Sequence, residues 1–346
     1  QLRALGRTLE EAEALVRAAE AGGDELAAAL ADAAARDGFA DVALHAAQIA
    51  ARLAPKSPQR AVEVAAGLRG ALSARADGGS RPARLAVGEA DVLESQGRLY
   101  VGETEEAVRL SLAGLAALEA LDAPLLLLSR ARYYAGSSLW GASRYPEALR
   151  LLEAARDGFA AEGQDSWVGR AEGAIGLVHF SEARFLKALH SFDAALARLE
   201  PGVDPGPCAS IQQNRAGILM NLGRLSEART GFGAALELAL EHGLRASATT
   251  IRVNLLGLGL DERAYDEVRT RGERVVSQCE REGLAVDAYY ARLALAEACA
   301  ALGSYGAVQA LIAILREHAP PEIRDDPDAA ALLGGLDAGD DEVAHR

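Results

Sequence analysis

The chain has 346 residues, of which half are hydrophobic and a quarter are charged, so it is not a disordered polypeptide. Aromatic residues make up only 5%, and Ala and Leu dominate the apolar half, which favours helices over strands. The net charge of −14 argues against nucleic acid as the main partner, because a phosphate-binding surface is basic.

The cellular setting follows from what the sequence lacks. Three widely separated Cys residues form neither a disulfide framework nor a CxxC metal motif, which suits a reducing compartment. No run approaches the roughly 18 apolar residues that span a bilayer, and no signal peptide is visible. We therefore expect a cytoplasmic protein that does not bind membranes. Because the chain begins with Gln1 rather than Met, we also expect a fragment or a processed chain.

The N-terminal part, residues 1–80, predicts divergent helical repeats. Thr8 and Glu11 form a plausible capping box at the start of the first helix. Residues 8–36 predict one helix pair, which is split at Gly22. Further second helices are marked by Ala61 and, beyond this part, Ala107.

From residue 81 to 320 a unit of about 40 residues recurs, most clearly from 124 onwards. Small apolar residues lie three and ten positions after the start of each second helix, and the two clearest units carry Phe192 and Phe232 seven positions after it. Offsets of 3, 7 and 10 lie on one face of a helix, so each unit is predicted to be helix, turn, helix. The predicted second helices start at Tyr145, Phe185, Leu225, Tyr265 and Tyr305.

Small residues and helix breakers support this division. Gly136 and Ala216 lie nine positions before a second helix and would let the two helices approach closely. Gly163, Gly243 and Gly283 follow second helices and suit left-handed C-caps. Because one helix pair cannot bury its apolar face, the pairs must stack. The sequence therefore predicts an all-α fold of about eight antiparallel helix pairs.

The last segment, residues 321–346, predicts a short capping helix at about 327–335 and an acidic tail. Charge-dense termini of this kind are usually disordered.

Three segments, ALGSYGAVQ, NLGRLSEARTGFGAAL and AIGLVHFSEARFLKALHSFDAAL, resemble the tetratricopeptide repeat family. They share its small residues on the first helix, Gly-x-Tyr at the turn and Ala-x3-Phe-x2-Ala on the second helix. The resemblance covers about 124–317. Its period of 40, rather than the usual 34, is similar to a subset that includes mitotic-spindle adaptors and bacterial regulators. The resemblance implies a right-handed α-solenoid, a superhelix whose concave face is lined by the first helices.

The family's inward-facing positions on the first helices predict a groove for an extended peptide or protein segment. Tyr and Trp provide large contact areas at low entropy cost, and a side-chain amide can pair with a peptide bond as donor and acceptor. In several members of the family, an Asn at the place shared by Asn214 and Asn254 fixes the backbone of a bound peptide. Alternatively, the aromatic residues pack between helices and the amides are merely solvated. The predicted binding residues are Arg130, Tyr133, Tyr134, Trp140, Arg170, Phe180, Gln213, Asn214, Asn221 and Asn254.

Motifs for catalysis or metal binding are lacking: there is no Gly-rich phosphate loop, HExxH, GxSxG or calcium loop. His179 is expected to pack in the core or at its rim. The three Cys residues are expected to be buried apolar groups, and Cys279 and Cys299 would form a redox pair only with Cα atoms within about 7 Å. The charges of residues 260–274 are expected on a solvated outer surface. We therefore expect no enzyme, no cofactor and no metal.

Together these features predict a non-enzymatic scaffold that binds a protein or peptide partner in its concave groove. The alternative is a sensor or regulatory arm of a larger signalling or effector protein. In that case a caspase-like protease, a signalling nucleoside triphosphatase or a kinase would lie outside this chain.

Overall fold

The computed structural model describes residues 2–54, 57–75, 77–324 and 327–338, and all regular secondary structure in these ranges is helical. A single 3-10 turn in this part of the chain spans Ala51–Leu53. The helices are α1 (Leu2–Ala21), α2 (Gly23–Ala34), α3 (Phe39–Ala50), α4 (Pro58–Ser73), α5 (Arg81–Tyr100), α6 (Thr104–Glu119), α7 (Leu125–Gly141), α8 (Tyr145–Ala161), α9 (Asp165–Ser181), α10 (Phe185–Leu196), α11 (Pro205–Asn221), α12 (Leu225–Glu241), α13 (Arg245–Asp261), α14 (Tyr265–Glu282), α15 (Ala285–Ala301), α16 (Tyr305–Glu317), α17 (Pro321–Arg324) and α18 (Pro327–Ala338).

The helices follow one another as eight pairs, from α1 and α2 to α15 and α16, which agrees with the predicted number. The predicted starts of the second helices are confirmed at all five positions, from α8 to α16. The first helices keep the same spacing of 40 residues, because α7, α9, α11, α13 and α15 start at 125, 165, 205, 245 and 285. The chain forms two compact units, Gln1–Arg184 (unit 1) and Phe185–Arg346 (unit 2).

The ends of the chain depart from the prediction in one respect. Helix α1 already begins at Leu2, so Thr8 lies inside it and the predicted capping box is wrong. The physical reason is that the preceding residues, LRALGR, are mostly good helix formers, so nothing stops the helix at Thr8. The break at Gly22 is confirmed, and α18 confirms the capping helix. The acidic tail after Ala338 lies outside the described residues.

The predicted apolar face of the second helices forms the core. Phe192 and Phe232 have no exposed surface, as expected from their place in the repeat. Gly136 allows α7 and α8 to pack closely, because a Cβ there would lie 2.7 Å from Cγ of Leu152 and 3.2 Å from the carbonyl oxygen of Ala148. The small residues of the repeat therefore set the distance between paired helices.

The turns are as regular as the helices. The predicted left-handed caps are confirmed, with φ values of 66°, 66° and 70° at Gly163, Gly243 and Gly283. A second positive φ recurs in the turn from the first to the second helix of the five pairs from α7 onwards; glycine adopts this conformation without strain, whereas other residues are strained in it. These turn residues are Ser143, Ala183, Gly223, Arg263 and Gly303.

Among the described residues, none of the helices combines the length and apolarity that crossing a bilayer requires.

Candidate partner-binding surfaces

In unit 1 the first helices α7 and α9 lie side by side and contact each other. The predicted residues on α7 lie three, four and ten positions after the first of them, and these offsets share one side of a helix: Arg130, Tyr133, Tyr134 and Trp140. All four are half-buried, so they border the core and still present part of their surface. Half-burial is compatible both with the predicted groove and with packing between helices, so the groove stays a prediction.

An aromatic cluster forms around Trp167, the third residue of α9. Its ring stacks on Phe159 of α8, with centroids 5.2 Å apart, and meets Tyr133 and Tyr134 edge-on at 5.6 and 6.2 Å. Edge-to-face and offset-stacked pairs at these distances are favourable beyond their buried area. The sequence analysis missed Trp167, although it lies one helical turn before Arg170 and so on the same side of α9.

Two guanidinium groups lie over the same indole ring. The Cζ atoms of Arg130 and Arg170 are 5.6 and 5.2 Å from the centroid of Trp167, within the range of cation–π attraction. Arg130 also donates from Nη2 to the carbonyl oxygen of Gln48 at 3.4 Å. Its Nε is buried and has no hydrogen-bond partner among the described residues. The cluster is thus both aromatic and cationic.

Glu89 on α5 was not predicted, and it interacts electrostatically with Arg130 and Tyr134 of this cluster. It is 3% exposed, and its Oε1 has no hydrogen-bond partner in the part of the chain that the structure describes. Burial raises the pKa of Glu89 to about 7, although the charge of Arg130 opposes this increase. Glu94, one turn and a half further along α5, is instead paired with Arg69 and, at 2.9 Å, with Arg98. Near neutral pH, Glu89 therefore cancels only part of the positive charge of the cluster.

At the other end of α7, Trp140 is tied to α9. Its Nε1 donates to Oγ of Ser181 at 3.0 Å. Phe180, the last predicted residue of unit 1, is half-buried next to Ser181 at the end of α9. The indole of Trp140 is therefore held in place by a hydrogen bond that α9 supplies.

In unit 2 the corresponding row consists of amides. Gln213 and Asn214 on α11 and Asn254 on α13 are half-buried, Asn221 is exposed, and α11 contacts α13. Asn214 and Asn254 occupy equivalent places in successive repeats. None of the four side chains forms a hydrogen bond with the residues that the structure describes. Their donors and acceptors are thus available to a ligand.

The other polar groups of interest do not form a reactive site in the described ranges. The three Cys residues are buried free thiols, and burial raises the pKa of Cys279 to about 11 and that of Cys299 in the same direction. No three His, Cys, Asp or Glu side chains gather there in a metal-binding arrangement. His179 is half-buried at the end of α9.

Comparison with known proteins shows the fold. No protein-family model and no curated protein matches the chain. A Rap protein complexed with Competence and Sporulation Factor is similar over 100% of both chains, with a TM-score of 0.63 and 15% identity. The apo form of the quorum sensor NprR from B. thuringiensis is similar over 96% of this chain and 99% of its own, with a TM-score of 0.62 and 12% identity.

A third similar structure is the Rap conjugation gene regulator of plasmid pLS20 in complex with the Phr* peptide. It is similar over 82% of this chain and 78% of its own, with a TM-score of 0.50 and 13% identity. At such identities these likenesses show the fold alone. They confirm the predicted fold class, an all-α solenoid of helical repeats.

Proposed function

We propose that this chain binds an extended peptide or protein segment along its first helices, as a non-enzymatic scaffold. The row of amides on α11 and α13 carries the proposal. Gln213, Asn214 and Asn254 are half-buried and have no hydrogen-bond partner among the described residues. A polar group that loses water without gaining a partner costs free energy. The backbone of a bound segment would supply the missing donor and acceptor, because an amide side chain matches a peptide bond.

The cluster around Trp167 supports a second contact surface, in unit 1. The half-buried rings of Tyr133 and Tyr134 offer apolar area, and Arg130 and Arg170 add positive charge. Aromatic and Arg side chains dominate the binding energy of many interfaces. This surface suits a segment that carries an apolar side chain near a carboxylate.

Two of the proteins with a similar fold are described as complexes. One is complexed with Competence and Sporulation Factor and the other with the Phr* peptide. A third is described as a quorum sensor. These descriptions concern those proteins, and they support a peptide-binding regulatory role for the present chain as a proposal.

Several narrower predictions belong to the same proposal. We place the chain in the tetratricopeptide repeat subset with a 40-residue period, as a bacterial regulator in the cytoplasm. The absence of catalytic activity, nucleic-acid partners and membrane partners remains a prediction, as does the division into 1–80, 81–320 and 321–346. No contact described above favours the alternative of an arm fused to an effector, and we do not propose it.

The experiment starts from a displayed library of random linear peptides, which is selected on the full chain. Affinities of the selected peptides are then measured for the wild type and for Asn214→Ala and Asn254→Ala. Since neither amide forms a hydrogen bond within the described protein, both variants should keep the wild-type stability. Each should weaken binding about tenfold, because one or two hydrogen bonds to the ligand are lost.

The matched control is Gln59→Ala, which removes an exposed amide from the second helix α4. It should bind every selected peptide as the wild type does. Failure to select any peptide, or equal affinity of all three variants, would count against the proposal. Trp140 and Trp167 are the only two tryptophans of the chain, so a change in their emission also shows whether a peptide reaches unit 1.

A further inference from the structure

A cavity of about 380 Å³ lies in unit 2 between α12, α13 and α14, and none of the residues of the amide row is part of its lining. Its volume is at the lower end of the range for small-molecule sites. Gly259 lets α13 and α14 come together at its base, because a Cβ there would lie 2.7 Å from Cγ2 of Val268. The apolar part of the lining consists of Leu236, Leu255, Leu256, Val268 and Val275.

Three arginines and one glutamate form the charged part of the lining. Arg271 is paired with Glu267 at 2.6 Å, and Arg252 donates from Nη1 to the neutral Oε1 of Gln278 at 3.1 Å. Arg274 is exposed and makes no hydrogen bond or ion pair with the residues that the structure describes. The lining therefore has an excess of positive charge, although the chain as a whole carries −14.

These observations refine the expectation for residues 260–274. Arg271 and Arg274 are exposed, as expected for an outer surface. They also line a cavity with apolar residues, which a purely solvated face would not possess. A positive edge next to an apolar interior complements a molecule with an anionic head and an apolar body.

We propose that this cavity binds a small amphipathic carboxylate, whose apolar body lies against the leucines and valines and whose head pairs with Arg274 and Arg252. A guanidinium group can hold a carboxylate through two parallel hydrogen bonds, which gives direction as well as affinity. Medium-chain acids match the cavity because their carboxylate can pair with the arginines and their alkyl chain can contact the leucines and valines. The lining shares α13 with Asn254 but includes none of the amide row, and the inference does not depend on the proposed function.

The probe is decanoate, titrated into the full chain by isothermal titration calorimetry below the concentration at which it forms micelles. Decyltrimethylammonium has an alkyl chain of nearly the same length and the opposite charge, and it is titrated in parallel. We expect decanoate to saturate one site and the cation to bind at least about tenfold more weakly, as expected for the reversal of a close charge contact.

Two variants test the lining. Arg274→Gln should weaken decanoate binding about fivefold, since one charge-assisted contact is lost at a partly solvated position. Leu255→Trp should fill the cavity and weaken decanoate binding at least about tenfold. The matched control is Arg281→Gln, two turns further along α14 and outside the cavity, which should leave the affinity unchanged. Helical circular dichroism and the melting temperature establish that each variant is folded.

Absence of saturable decanoate binding, equal affinity for both surfactants, or an unchanged affinity in Arg274→Gln would overturn this inference. None of these results would bear on the amide row, which is tested with peptides.

Discussion

Gly97 allows α4 and α5 to pack together, and its replacement by Ala is the sharpest test of the packing. A Cβ at this position would lie 2.7 Å from the carbonyl oxygen of Pro58 and 3.3 Å from the backbone nitrogen of Val62. Both obstacles are backbone atoms in the first turns of α4. They can make room only if the helix itself moves, whereas a side chain could change its rotamer.

Two opposing effects set the magnitude. Overpacking in a core costs about 1–3 kcal/mol, and the obstacles at Gly97 place the cost at the upper end. Replacing Gly by Ala inside a helix returns about 1 kcal/mol. We therefore expect Gly97→Ala to lose about 2 kcal/mol. The matched control is Gly70→Ala in α4, where no heavy atom lies within 4 Å of the new Cβ. It should gain about 0.5–1 kcal/mol.

Urea unfolding followed by tryptophan fluorescence measures both variants. Trp140 and Trp167 are the only tryptophans and both lie in unit 1, so the signal reports the unit that contains Gly97 and Gly70. The midpoint should fall for Gly97→Ala and rise for Gly70→Ala. A midpoint for Gly97→Ala at or above that of the wild type would refute the reasoning.

Three further predictions concern turns, a buried acid and the thiols. Ala183 has a φ of 56°, so Ala183→Gly should stabilise the chain by about 1 kcal/mol. Gly223→Ala at the equivalent turn should destabilise the chain by a similar amount. Thermal unfolding measures both changes. The pKa of Glu89 is raised from 4.5 to about 7 in the folded state, so the folded chain keeps a proton that the unfolded chain has released. The stability of unit 1 should therefore fall as the pH rises from about 4.5 to 7, and Glu89→Gln should remove this loss, a gain of up to about 3 kcal/mol at pH 8. Burial keeps the thiols of Cys279 and Cys299 protonated, so at pH 8 a thiol reagent should modify them far more slowly in the native than in the denatured chain.

Each of these results can fail in a recognisable way. Equal melting temperatures of Ala183→Gly and Gly223→Ala would mean that the turn imposes no strain. A pH profile that Glu89→Gln leaves unchanged would assign the loss to other groups. Rapid modification of Cys279 in the native chain would show that its helix opens readily.

The sequence located the helices better than the surfaces. The 40-residue spacing fixed the starts of the second helices because the same small and aromatic residues must meet the same neighbours in every pair. The predicted capping box at Thr8 is wrong, because the residues on both sides of Thr8 form helix and the helix begins before it. Glu89 was missed although it lies one repeat before Arg130. Its importance arises from burial and from the lack of a partner, which depend on residues far away in the chain.

The amide row shows what a sequence pattern cannot reveal about a predicted binding residue. Asn214 and Asn254 were found from their equivalent positions, but a sequence pattern cannot tell whether a side chain already has a partner within the protein. The same holds for Arg274, which looked like any other charge of a solvated helix. Its lack of a partner and the hollow beside it become visible only when α12, α13 and α14 are assembled.

The repeat also explains how the two units can differ in chemistry without differing in fold. The core depends on positions such as Phe192, Phe232 and Gly136, which determine how a second helix meets its first helix. The half-buried edge of the first helices packs against the core with only part of each side chain, so its residue types can change while the 40-residue spacing is kept. In unit 1 that edge carries rings and guanidinium groups, and in unit 2 it carries amides. Substitutions such as Asn214→Ala should therefore alter binding without altering stability, whereas Gly97→Ala should lower stability through packing alone.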